Sequence, residues 1–306
     1  MKVLFLGSSN FSNIVLAQLL KNGVNVVGVI TQPDKPSGRG QKLKSNTTKI
    51  FAQEHSIPVY TFDKLRNHIE EIKRIEYDLA CVASFGQILP QSFLDIKPTI
   101  NVHPSLLPKY RGATPIQSAL LNGDNYTGVT IMKVALLVDS GDIIMQKKYK
   151  INDEDYNELE EKIALLGGNM ASEVIGEFQN GSIKAVPQDN SKATFVKKLE
   201  KSDGKLDFSK NKDEIINKVR ALSSTVGCFI MVEGKVIKIG KVSDASEKFN
   251  DVEERQIQNY KKAFIIGCND GAIEVLLCQS PSGKMISGRD FINGHNEILG
   301  KMVEWC

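Results

Sequence analysis

A chain of 306 residues, 41% hydrophobic and 25% charged, is long enough for two domains, and its composition excludes a disordered or collagenous polymer. Five cysteines (Cys81, Cys228, Cys268, Cys278 and Cys306) stand far apart with no C-x-x-C pair, which excludes the common zinc and dithiol patterns and fits a reducing cytoplasm. The net charge of +3 is unevenly spread: between positions 31 and 50, Lys35, Arg39, Lys42, Lys44 and Lys49 face Asp34 alone, so that stretch is +4 and the rest of the chain −1. The opening MKVLFLGSSNFSN has neither the apolar core nor the small-residue cleavage site of a secretion signal. No apolar run approaches the ~20 residues of a membrane span. A cytoplasmic protein without membrane attachment is expected.

In chain order, KVLFL, VNVVGVI, DLACVAS and TINV are short apolar runs rich in β-branched residues, alternating with NIVLAQLLKNG and KLRNHIEEIKRI, which have helical spacing. That alternation predicts an α/β fold, a Rossmann-like and mostly parallel sheet with helices on both faces. GATPIQSALLNG reads as a helix, TGVTIMKV and DIIMQKKYKI as strands, and positions 155–180 as a long helix. These complete one domain over residues 1–188. Residues 189–208 are polar and Lys-rich with weak periodicity and read as a linker. Beyond it, KDEIINKVRAL reads as a helix, followed by the alternating strands CFIMVEGKVIKIGKV, AFIIGCND and AIEVLLC with glycine turns. These predict a small C-terminal OB-like β-barrel over residues 209–306. The chain has no internal repeat.

Three stretches carry chemistry. GSSNFS, after the first strand, sits where a dinucleotide fingerprint would, but it lacks the later glycines of G-x-G-x-x-G. Its hydroxyls and amide side chain either cap the following helix or leave amides free for a substrate phosphate or carboxylate. In NVHPSLLPKYRG, the strand period of two places Asn101 and His103 on one face, and Pro104 keeps His103 extended. The pair projects from the carboxyl end of a strand, where open α/β sheets bind ligands, and is either a polar strand end or a catalytic pair. The turn VDSGDI offers Asp139, with Asp142 as its rival, as the carboxylate that would orient an imidazole. A turn of Asp, Ser and Gly also needs no catalytic role.

The run NVHPSLLPKYRGATPIQ, with VDSGD beginning 37 positions after Asn101, resembles the folate-dependent formyltransferases, which take a formyl group from 10-formyltetrahydrofolate. Within that family TQPDKPSGRGQKLK is similar to an insertion of the members that act on methionyl-tRNA, and SPSGKMISGRDFINGH to their C-terminal signature. The resemblance spans nearly the whole chain. It implies Asn101, His103 and Asp139 as the catalytic set, with no metal.

The folate would be held by Phe85, Gly86, Gln87, Ile88 and Leu89 of SFGQILPQSFLD, by Ser105, Leu106, Leu107 and Pro108, and by Val138 and Asp142. Lys35, Arg39, Lys42 and Lys44 would meet tRNA phosphates, since nucleic-acid affinity rests largely on phosphate contacts. The implied partners are initiator methionyl-tRNA and folate, with no obligate protein partner. A small acceptor such as an amino-sugar nucleotide is the alternative within the family. The chain departs from the family pattern in three places: Ala135, Leu136 and Leu137 replace an acidic pair and a glycine, GSSNFS replaces G-T-P-D-F-A, and SSTVGC at 223–228 replaces a Trp/Pro-rich segment.

Overall fold

The computed structural model describes residues 1–37, 42–44, 46–245 and 252–305. In the first part of the chain, β1 (Lys2–Gly7) leads through α1 (Asn10–Lys21) to β2 (Asn25–Thr31). A short antiparallel pair follows, β3 (Lys35–Ser37) with β4 (Lys42–Lys44), then α2 (Thr47–Glu54) and β5 (Val59–Thr61). Next come α3 (Ile69–Ile72), β6 (Leu79–Ala83), α4 (Gln91–Leu94), β7 (Thr99–His103), β8 (Arg111–Gly112) and α5 (Pro115–Leu121). The series continues with β9 (Tyr126–Lys133), β10 (Ile143–Lys150), α6 (Tyr156–Gln179) and β11 (Phe195–Val196). Among the described residues no helix is long and apolar enough to cross a membrane.

The chain divides into two compact units, Met1–Pro115 with Tyr126–Lys150 and Glu158–Val196, and Ile116–Asn125 with Ile151–Asn157 and Lys197–Cys306. The first unit holds a seven-stranded sheet in the order β10-β9-β7-β6-β1-β2-β5. Its five strands from β7 to β5 are parallel, and β9 and β10 join antiparallel beside β7. This is the expected mostly parallel α/β layer. One face buries Leu4, Leu6, Ile30, Ala80 and Val82 against Phe62, Leu65, Ile72 and Phe93. On the other face α6 approaches so closely that a Cβ at Gly167 would lie 2.6 Å from Val102 Cγ1, so only glycine lets the helix backbone rest on the sheet.

KLRNHIEEIKRI does not form one helix. It breaks into a 3₁₀ turn at Leu65–Asn67 and the single turn α3, because His68 (φ −124°) leaves the helical region. Its imidazole is held by Asp63 Oδ1 at 3.1 Å and Glu71 Oε1 at 2.9 Å and stacks on Phe62. These contacts outweigh the weak propensity of a short polar helix.

The second unit contains α7 (Lys212–Leu222), β12 (Cys228–Val232), β13 (Lys235–Asp244), β14 (Ile257–Tyr260), β15 (Ala263–Cys268), β16 (Gly271–Gln279), β17 (Ile286–Ser287) and α8 (Gly288–Gly294). Its strands form an antiparallel sheet in the order β12-β13-β16-β15-β14, with β17 added to β16, consistent with the small barrel-like domain that the sequence predicts. α7 buries Ile215, Val219 and Leu222, spaced by four and three on one helical face. α8 stacks Phe291 on Phe264 of β15 with ring centroids 5.7 Å apart.

Candidate active site

The strand period explains the first half of the site. Val102 of β7 points at α6, so Asn101 and His103 point to the opposite face, the one carrying Val82 and Phe85. β7 pairs with β6 so that Val82 lies beside Asn101, and with β9 so that Met132 lies beside it on the other flank. Asn101 is half-buried and His103 only 3% exposed.

The imidazole is fixed at one end, because Nε2 lies 3.0 Å from the carbonyl oxygen of Tyr110. A carbonyl only accepts, so Nε2 carries the hydrogen and Nδ1 is the atom free to take or give a proton. Tyr110 presents that carbonyl from a left-handed backbone (φ +63°), with its N–H donating to Thr194 Oγ1 at 2.8 Å.

Asp139 supplies the other half from the turn between β9 and β10, also at positive φ (+49°), a region that aspartate tolerates better than most residues. Its Oδ2 accepts the Gly112 N–H at 2.8 Å and stands 3.6 Å from His103 Nδ1. Its Oδ1 accepts from Asn101 Nδ2 at 3.4 Å. The carboxylate therefore faces both partners, and a proton on Nδ1 would make it half of an ion pair. Gly112 adopts φ +119°, and a Cβ there would lie 2.2 Å from the Val196 carbonyl oxygen, so the amide reaches Asp139 only because the residue is glycine.

The three side chains border a cavity of about 470 Å³, a size that accommodates a drug-sized molecule. Its walls are largely apolar, with Phe85, Leu89, Met132, Val134, Leu136 and Val138 among them. Ile88, Leu136 and Val138 are exposed at its rim. Gly86 and Gln87 also line it. Gln87 is anchored by donating to the Phe62 carbonyl at 2.8 Å and accepting the Leu65 N–H at 3.1 Å. Cys81, on β6 behind the site, is no nucleophile, because burial pushes its thiol up to about 12.

The structure thus brings together Asn101, His103, Asp139, Phe85, Gly86, Gln87, Ile88, Leu89 and Val138. It does not bring Ser105, Leu106, Leu107, Pro108 or Asp142 into the cavity lining. The Ser105 and Leu107 backbones are bonded to Thr130 Oγ1, and the Asp142 carbonyl accepts the Lys133 N–H at 2.9 Å. These residues shape the turns that carry His103 and Asp139.

In GSSNFS the capping role holds: Ser9 caps α1, and the amides of Ser8 and Ser9 point at Ser12 Oγ, 3.0 and 3.1 Å away. Residues 189–196, read as linker, are tied to the site loop, with Thr194 accepting from Tyr110 and β11 pairing with β8. Contacts between residues that far apart in sequence leave no local signal.

The basic segment is tied at both ends. Asp34 Oδ2 accepts from Lys49 Nζ at 2.8 Å, and Asn46 Nδ2 donates to Thr31 Oγ1 at 2.6 Å. Lys49 is therefore paired. Lys35, Lys42 and Lys44 lie on the β3–β4 hairpin, and Arg39 falls outside the described residues.

Residues 1–175 match the family Formyl transferase, and residues 198–296 match Formyl transferase, C-terminal domain. The chain belongs to the formyltransferase family. Among its relatives are proteins named methionyl-tRNA formyltransferase from Sulfurihydrogenibium sp. (37% identical, covering 99% of this chain and 100% of the relative) and from Lactobacillus johnsonii (38% identical, 99% of each). Of solved structures, a sugar 3N-formyl transferase, WlaRD, crystallised in the presence of dTDP and 5-N-formyl-THF, superposes with a TM-score of 0.67 at 25% identity, covering 93% of this chain and 99% of that one. HypX from Aquifex aeolicus in complex with tetrahydrofolic acid shares the fold at a TM-score of 0.68 and 17% identity, over 98% of this chain and 48% of that one. An amide donor, an imidazole and a carboxylate at one end of an apolar cavity can polarise a carbonyl oxygen and move a proton.

Proposed function

We propose that this chain transfers the formyl group of 10-formyltetrahydrofolate to the free amino group of initiator methionyl-tRNA. The observation that carries the mechanism is the convergence of Asn101 Nδ2, His103 Nδ1 and the Asp139 carboxylate on one end of the cavity. The amine nitrogen attacks the formyl carbon, the carbonyl π electrons move to oxygen, and a tetrahedral centre forms. Asn101 and protonated His103 donate to that oxyanion, each such donor being worth roughly 10² to 10³ in rate. Asp139, oriented by the Gly112 N–H, stabilises the imidazolium and, through water, passes the amine proton to the folate nitrogen as the C–N bond to it breaks.

In this reading the donor's flat ring lies between residues 85–89 and residues 134–138, where apolar walls meet backbone groups. Lys35, Arg39, Lys42 and Lys44 are assigned to tRNA phosphates, which the +4 charge of their segment suits. Residues 1–188 are assigned catalysis and residues 209–306 a second contact to tRNA. Full-length relatives named for methionyl-tRNA, at 37% and 38% identity, favour that acceptor over an amino sugar. The test is incubation with 10-formyltetrahydrofolate and either methionyl-tRNA or an amino-sugar nucleotide. A formylated product is expected only from the first. His103→Ala and Asp139→Asn should each lower the rate at least ~10²-fold with tRNA affinity nearly unchanged. Near-parental turnover in either variant would refute the assignment of roles.

A further inference from the structure

Two polar side chains outside the cavity lining are buried behind the Asp139 turn: Arg111 is 5% exposed and Gln188 8%. Arg111 Nε and Nη2 both donate to Gln188 Oε1, at 3.1 and 2.7 Å, and Nη2 also donates to Asn190 Oδ1 at 2.8 Å. The other end of the same amide, Gln188 Nε2, donates to the carbonyl oxygens of Asp139 at 2.9 Å and Gly141 at 2.7 Å. Its remaining neighbour is the Met132 sulfur at 3.9 Å. A guanidinium can only donate and a carbonyl can only accept, so both ends of the amide agree on one orientation and the group cannot flip. Asp139 and Gly141 bracket the bend of the turn, and Asp139 sits there at φ +49°, a conformation that persists only when its surroundings impose it. The residue after Arg111 is Gly112, whose N–H orients the Asp139 carboxylate.

We propose that Arg111 and Gln188 form a positioning clamp for Asp139: the guanidinium sets the amide, the amide sets the turn backbone, and Gly112 beside Arg111 sets the carboxylate. This inference rests on the catalytic reading of Asp139. Gln188 touches neither cavity nor reactants, so its effect falls on how often the carboxylate stands at His103 rather than on how tightly substrates bind.

The experiment is Gln188→Glu in the full chain. The carboxylate keeps its contact to Arg111, now as an ion pair, but offers no N–H to the two turn carbonyls. The expected result is a kcat lower by about ten- to a hundredfold with KM for methionyl-tRNA within about twofold. The Gly112 amide proton, followed by NMR in glycine-labelled protein, should shift and exchange faster as Asp139 drifts. If Gln188→Glu does not fold, Arg111→Lys, which keeps the charge but not the two-pronged contact, should give the same separation of kcat from KM. Parental kcat together with an unmoved Gly112 amide, in an assay where Asp139→Asn is inactive, would overturn the clamp and leave the catalytic reading intact. Near-parental turnover by Asp139→Asn would remove the catalytic reading and the clamp with it.

Discussion

Replacing Thr130 by valine isolates one buried hydroxyl. Thr130 lies opposite His103 in the β7–β9 pairing and is 0% exposed. Its Oγ1 donates to the Ser105 carbonyl at 2.7 Å and accepts from the Leu107 N–H at 3.1 Å and from Gln146 Nε2 at 2.8 Å, which exhausts the capacity of a hydroxyl. Valine has the same shape and suits a strand, so the substitution removes these bonds and little else. Gln146 keeps a partner in the Leu107 carbonyl at 2.8 Å. The Leu107 N–H and the Ser105 carbonyl lose theirs, in a turn where Ser105 is 1% and Leu107 3% exposed. Two such orphaned groups at about 1–3 kcal/mol each, less the gain from a buried methyl of ~1 kcal/mol, give a destabilisation of about 1–5 kcal/mol. At roughly 2–4 °C per kcal/mol for a unit of this size, the melting midpoint should fall by about 2–20 °C. Calorimetry measures it, and formylation assayed well below the midpoint should also drop, because this turn carries the chain from His103 to Tyr110. Thr130→Ser, which keeps the hydroxyl, should recover most of the stability. A Thr130→Val midpoint no lower than the parent's would refute the reasoning, since even at the lower bound two orphaned groups outweigh the methyl.

Hydrogen bonds to Glu71 and then Asp63 raise the His68 imidazole above its ordinary 6.5. Its contribution to holding residues 62–68 is therefore complete below the unfolded-chain value and disappears as pH rises through the higher folded one. The His68 ring protons should titrate above 6.5 by NMR, and Glu71→Gln with Asp63→Asn should bring the midpoint back down. Burial pushes the thiols of Cys81, Cys228, Cys268 and Cys278 up to about 12. Iodoacetamide at pH 8 should leave all four unmodified in the native protein and label them in denaturant, as peptide mass spectrometry would show. Changing Lys42 and Lys44 together to alanine should flatten the salt dependence of tRNA binding by roughly 0.7–0.9 in log–log slope for each phosphate that the variant no longer neutralises. Formylation of a small amine surrogate should be unchanged.

The strand runs and the long helix α6 were legible because burial imposes a period on them. The segment around His68 was not: its helical spacing is real, yet side-chain bonds to Asp63 and Glu71 broke it into two turns. Asn101, His103 and Asp139 were legible as residue types in a recognisable pattern. Gly112, Arg111 and Gln188 were not singled out, because their importance lies in what they touch. Gln188 reads in sequence as an ordinary polar residue at the start of a loop.

By itself the sequence determined the α/β class, the stranded C-terminal domain and the polar face of β7, which follow from local periodicity, and the resemblance of its motifs pointed to the family. The tertiary structure alone decided which nitrogen of His103 holds the hydrogen, since the Tyr110 carbonyl that selects it arrives through a left-handed turn. It alone decided the aim of Asp139, through an amide 27 residues away in the chain and a glutamine 49 away. It also tied the Ser105 and Leu107 backbones to Thr130, bracing the turn that follows His103. The physical reason is that a strand's period depends on neighbours one or two residues away, whereas the orientation of a buried polar group is set by whichever distant donor or acceptor the fold brings to it.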